Sequence, residues 1–251
     1  MAMNLTIILH CLTFTILIMA FKFGHAQKSD KNSCKTGTDS IDTCFMNLLL
    51  FGDPKYVFPE NMTSMNTHCR QIKTYDKCIK EYTNKCLAPF PKQVSNVLAY
   101  GGLKTHKAYC ATKRRKESFT SVGKCANKIK RLGDNCMYTF IDEIQGSENY
   151  PDVKMKLPLV CCNFYKFKEC IINHGTKVGE PLCKESHIEE TERIIGGYAN
   201  DVLALVCGDY TEDSDKCGKI LPKTPKKLPS QKRPKSIILP FINILASVPQ
   251  K

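Results

Sequence analysis

The sequence predicts an all-α fold, a disulfide-stapled bundle of about five to seven helices with a disordered basic C-terminal tail. Three observations carry that expectation. The chain has 15 cysteines in 251 residues, apolar residues recur at helical spacing through most of its length, and the stretch from Asn66 to Cys86 places three cysteines in one helical pattern. A straight helix rises about 1.5 Å per residue, so Cys69 and Cys78 stand about 13 Å apart, beyond the roughly 7 Å Cα reach of a disulfide. Each cysteine of that helix must therefore bond to another segment.

The ends differ from the middle. Residues 1–26 read as a secretory signal peptide, with an apolar run from Leu5 to Phe21 and a small-x-small site at Gly24-His25-Ala26. An uncleaved signal anchor is the alternative. Removing Cys11 leaves an even set: Cys34, Cys44, Cys69, Cys78, Cys86, Cys110, Cys125, Cys136, Cys161, Cys162, Cys170, Cys183, Cys207 and Cys217. In a secreted chain this points to disulfides rather than metal or redox chemistry. Residues 27–217 form the cysteine-rich domain, and 218–251 a Pro- and Lys-rich tail with a short apolar end. The net charge of +13 is concentrated there, since from Gly218 onward there are eight basic residues and no acid.

Taken in order, the chain is polar up to Ser40, and Asp39 or Ser40 caps a helix over Ile41–Phe51 that Gly52-Asp53-Pro54 ends. An extended segment follows. Asn61-Met62-Thr63 makes Asn61 a glycosylation candidate, with a helix N-cap as the competing use of the same side chain. The long helix then runs to Cys86, with Met65, Cys69, Ile72, Ile79, Tyr82 and Cys86 on one pattern and Cys78 opposite, so it is stapled on two sides. After Ala88-Pro89 a helix covers Lys92–Tyr100, Gly101-Gly102 marks a turn or kink, and helix resumes to Cys110. Lys113-Arg114-Arg115-Lys116 reads as a solvated helix face, or else a processing site.

From Cys125 to Ile144 a helix turns Ile129, Leu132, Cys136, Phe140 and Ile144 inward, with Gly133-Asp134 as a candidate interruption; Cys125 and Cys136 share a face. Another starts near Pro158, where adjacent Cys161 and Cys162 point about 100° apart and need different partners. Ser186-x-x-Glu189 reads as a capping box opening a helix that buries Ile188, Ile195, Tyr198, Val202, Leu205 and Val206, weakened at Gly196-Gly197. It ends at Cys207-Gly208. The tail follows as an extended linker, either disordered or docking its apolar end, Ile237–Leu245, on the domain.

No catalytic constellation is present: there is no G-x-S-x-G elbow, H-E-x-x-H or Walker loop. Adjacent cysteines in a helical secreted chain bring phospholipases A2 to mind, but that family's His-Asp pair and calcium loop are missing. Asp209–Asp215 alternates oxygen ligands, yet Ser214 and Ile220 stand where an EF-hand needs Gly and Glu, which favours a solvated acidic loop. His68, His106, His174 and His187 are scattered, without ligand spacing. The expectation is no catalytic site, no cofactor and no metal.

The segments CFMNLLLFGDP, FPENMTSMNTHCRQIKTYDKCIKEYTNKCL, FPKQVSNVLAYG, CCNFYKFKEC and GYANDVLALVCGDYTEDSDKC resemble cysteine-rich secreted arthropod proteins of unknown function. They are similar to the haemolymph glycoprotein-like group and, more distantly, to a nematode extracellular domain. The resemblance spans roughly Cys34 to Cys217 and implies an extracellular helical module without an active site to transfer. The expected function is a secreted, non-enzymatic binding or carrier module for a small apolar ligand or an extracellular protein. The alternative is a membrane- or matrix-associated factor whose tail contacts anionic lipid or polysaccharide; nucleic acid is not expected as a partner.

Overall fold

In a computed structural model the chain is described from residue 31 to residue 249, so the segment expected to be a signal peptide, with Cys11, lies outside the described residues. The fold is all-helical. Among the described residues there are nine α-helices: α1 (Lys31–Leu48), α2 (Met62–Cys86), α3 (Pro89–Cys110), α4 (Lys113–Ser121), α5 (Gly123–Glu148), α6 (Val153–Val178), α7 (Glu185–Val206), α8 (Asp215–Ile220) and α9 (Ile238–Ser247). Six are long, and α4, α8 and α9 are short additions.

Seven disulfides pair all fourteen cysteines. Cys34–Cys86 and Cys44–Cys78 tie α1 to α2, and Cys69–Cys110 ties α2 to the end of α3. Cys125–Cys183 and Cys136–Cys170 tie α5 to α6 and the loop after it; Cys161–Cys207 and Cys162–Cys217 send the adjacent pair to different partners. The long helix α2 is stapled on two sides as its spacing predicts. Cys86, however, joins Cys78 in reaching α1, because eight residues turn a helix by only about 80° net. No disulfide among the described residues links residues 34–110 to residues 125–217, so the two stapled halves meet through packing and hydrogen bonds rather than sulfur.

Glycines make that meeting possible. Gly101-Gly102 and Gly196-Gly197 break neither helix; they are where α3 and α7 cross. A Cβ on Gly101 would lie 2.6 Å from the Tyr198 carbonyl oxygen, and one on Gly197 2.5 Å from Thr105 Oγ1. Only glycine permits so close a backbone approach. At the same seam, Gly52, with φ of 103°, ends the turn after α1 and donates its amide to the Asp134 carboxylate at 2.7 Å. The ring of Phe51 packs on Gly133, which explains why Gly133-Asp134 leaves α5 unbroken.

Other boundaries move for tertiary reasons. Helix α1 begins ten residues before Ile41 because Cys34 is tied to Cys86 and Gly37 lies against the Tyr82 ring, overriding a polar sequence of low helix propensity. Helix α6 starts at Val153, capped by Asp152, with Pro158 inside it. At α7 the N-cap is Lys184 rather than Ser186, and the His187 ring accepts the Lys184 amide at 3.4 Å. Leu132 and Leu205, expected inward, are exposed, since neighbouring residues such as Met137 and Val202 take the buried faces.

The tail is not disordered. Helix α9 buries Ile238, Phe241, Ile244 and Leu245 in the main core. The Asp42 carboxylate of α1, itself buried, accepts from the Lys235 amide (2.6 Å), the Ser236 amide (2.8 Å) and Ser236 Oγ (2.7 Å). The apolar end that looks too short to span a bilayer is thus a core helix whose four large side chains are removed from water. No helix among the described residues is long and apolar enough to cross a membrane.

Candidate functional site

Two hollows lie either side of a buried polar chain. The first is a cavity of about 80 Å³ between α5, α6, α7 and α9. Its walls include Phe140, Ile144, Phe164, Phe167, Val202, Leu203, Val206, Ile237 and Phe241, and the only wall hydroxyl is that of Tyr198. Phe140 and Phe167 stack at 5.2 Å between ring centroids, which stiffens one side. The Cys161–Cys207 disulfide closes one end. Everything in this wall is hydrocarbon, ring or sulfur apart from one phenol, so an occupant gains burial and few polar contacts.

The second hollow, of about 500 Å³, is lined by residues of α2 and the segment before it, among them Asp53, Lys55, Tyr56, His68, Gln71 and Tyr75. His68 links it to the interior. The sequence scatters the histidines, but helical register brings two of them together: His68 Nε2 lies 3.0 Å from His106 Nδ1, and the His106 Nε2 lies 3.0 Å from the Leu48 carbonyl. Tyr56 reaches His68 Nδ1 at 3.3 Å, and the Tyr198 hydroxyl makes a short contact with His106 Nε2.

These partners settle the proton positions. A carbonyl only accepts, so His106 carries its proton on Nε2; its Nδ1 then accepts from His68 Nε2–H, and His68 Nδ1 accepts from the Tyr56 hydroxyl. Burial favours this neutral form. It pushes His68 down to about 4 and His106, with the charge of His68 adding to burial against the Leu48 carbonyl, down to about 3. Burial also raises Tyr56 and Tyr198 above the usual phenol range. Both lone pairs and both N–H groups of the histidine pair are committed inside the protein. The chain is arranged to satisfy buried polar groups and to lock α2 and α3 to the α1 terminus and α7.

The remaining expectations fall in separate places. Cys136, Cys170 and His174 converge within 4.8 Å, but the two sulfurs form a disulfide and are not thiolate ligands. Asn61 caps α2, its side-chain oxygen accepting the Ser64 amide at 2.9 Å. The acidic loop is exposed, with Asp209 on Lys216 and Glu212 on Lys168, and its flanking cysteines go to α6. The basic run at Lys113 opens α4.

The histidine pair has no signature in the sequence, since the two are 38 residues apart on different helices. The cavity was foreshadowed only as space between helices. No family model matches the chain, and neither a curated protein nor a solved structure matches it.

Proposed function

We propose that the protein is a secreted, non-enzymatic binding or carrier module that takes a small apolar ligand between α5, α6, α7 and α9; the resemblance to the haemolymph group implies only the extracellular helical module. The cavity wall carries this reading: a pre-formed, almost wholly apolar hollow between helices. Seven disulfides suit an oxidising compartment. The buried histidine–tyrosine cluster spends its hydrogen-bonding capacity internally, which supports a non-catalytic role.

The volume bounds the ligand. About 80 Å³ is roughly half the about 150 Å³ cavity that takes benzene in an engineered protein. The occupant is a short hydrocarbon segment, or a longer one once α9 shifts. Calorimetric titration with n-alkanols of increasing chain length, starting from ethanol, tests this. Binding in the millimolar range is expected for the native chain, weakened about 10-fold by Ala199→Ile, which fills the cavity at a cost of about 1–3 kcal/mol in stability. Alkanol binding unchanged by Ala199→Ile, or absent altogether, would remove the cavity as the site.

A further inference from the structure

We infer that the last turn of α8 and the strap from it to α9 dock a linear sulfated polysaccharide through Lys219, Lys223, Lys226 and Lys232. This goes beyond the cavity reading, shares with it only the secreted location, and is tested separately.

The structure sorts the basic residues of the tail into two sets. Three fasten the strap: Arg233 makes a two-pronged pair with Asp142, Lys235 meets Asp39 at 2.8 Å, and Lys227 donates to the Gln231 carbonyl at 3.0 Å. The four named lysines are exposed, and among the described residues their side chains make no hydrogen bond or ion pair. Between Gly218 and Ser236 there is no acidic residue to compete for them.

The strap is also held still. Asn163 Nδ2 donates to Thr224 Oγ1 at 3.1 Å, Gln145 Nε2 to the Lys232 carbonyl at 3.1 Å, and the Pro225 carbonyl lies on Gly146. The Leu228 amide donates to Gln231 Oε1 at 2.9 Å, closing a turn. Four solvated cations on an ordered backbone lose little chain entropy when a polyanion binds.

The other basic run gives the contrast. In Lys113-Arg114-Arg115-Lys116, Lys113 sits 3.8 Å from Glu117, Arg115 donates to the Ala108 carbonyl at 3.4 Å and Lys116 to Asn66 at 2.8 Å. Three of its four charges are engaged within the protein.

A membrane is the weaker partner because the apolar residues that would enter it are used elsewhere. Ile238, Ile244 and Leu245 have no exposed surface, and Leu228 is the one large exposed hydrophobic of the strap. A peripheral membrane helix needs an apolar face free to insert. What remains is a comb of charge, which suits a linear polyanion.

The test is the affinity of the full chain for heparin by surface plasmon resonance, with phosphatidylserine vesicles in parallel. Replacing Lys219, Lys223, Lys226 and Lys232 by Gln is expected to weaken heparin binding about 10-fold or more. The native affinity should fall roughly 50-fold between about 50 mM and about 200 mM salt, as four released counterions predict on a single-strand slope. Replacing Lys77, Lys85, Lys104 and Lys113 by Gln removes the same charge from the body and should leave affinity within about threefold. Thermal midpoints report that both variants fold. Equal losses from the two variants, no loss from the strap variant, no native binding, or strap-dependent binding to vesicles without heparin binding would each overturn the inference.

Discussion

Up to Cys217 each of the six long helices carries or adjoins a cysteine bonded to another segment; beyond Cys217 the chain is held by hydrogen bonds, ion pairs and the buried face of α9 alone. Both regions reach the same core. The stapled body retains its connectivity when it opens, because the disulfides restrict its unfolded state, whereas the tail can leave as a unit once its docking contacts fail. That difference puts the movable wall of the cavity on one element, α9, through Ile237 and Phe241.

The largest expected effect comes from moving the boundary. Cys162→Ala with Cys217→Ala opens a loop with a sequence separation of 55; the chain-entropy relation gives a loss of about 4 kcal/mol in denaturant unfolding. Hydrogen exchange should show residues 208–217 joining the tail in its lower protection. A loss below about 1 kcal/mol would mean that packing, not sulfur, holds this end.

Acid probes the body. His68 and His106 have folded-state values near 4 and 3, below the ordinary 6.5. The unfolded chain therefore binds protons first as pH falls. Their contribution is fully present above about 6.5 and drains away down to about 3. Thermal midpoints from pH 7 to pH 3 should fall more steeply in the native chain than in a variant with His68→Gln and His106→Gln. Parallel curves would assign the acid sensitivity to other groups.

The smallest effect isolates the tail. Asp42→Asn removes the charge that three donors at Lys235 and Ser236 share, and undocking should become easier by about 2–3 kcal/mol. Limited proteolysis is expected to cut between 218 and 249 while the body stays intact. Simultaneous cleavage throughout would show that body and tail unfold together.

Much of the body is legible in the sequence for local reasons. The spacing of Cys69 and Cys78 forces two-sided stapling of α2, and adjacent Cys161 and Cys162 require separate partners, since helical rotation alone decides both. Leu132 and Leu205 show the limit: periodicity locates an apolar face but not its edge, which depends on the neighbour that covers it. The candidate site is less legible still. The cavity wall draws on the turn after α1 and five helices, and no short motif encodes such a meeting.

By itself the sequence determined the helical class, the separate partners of Cys161 and Cys162 and the breaks at Gly52 and Cys207-Gly208, because these follow from chain periodicity and backbone sterics. Tertiary structure alone decided which cysteines pair and that the glycine pairs join helices rather than bend them. It also turned two scattered histidines into one neutral chain and docked the basic tail. Each of those depends on a partner far along the chain, whose approach becomes favourable only once the core has formed around it.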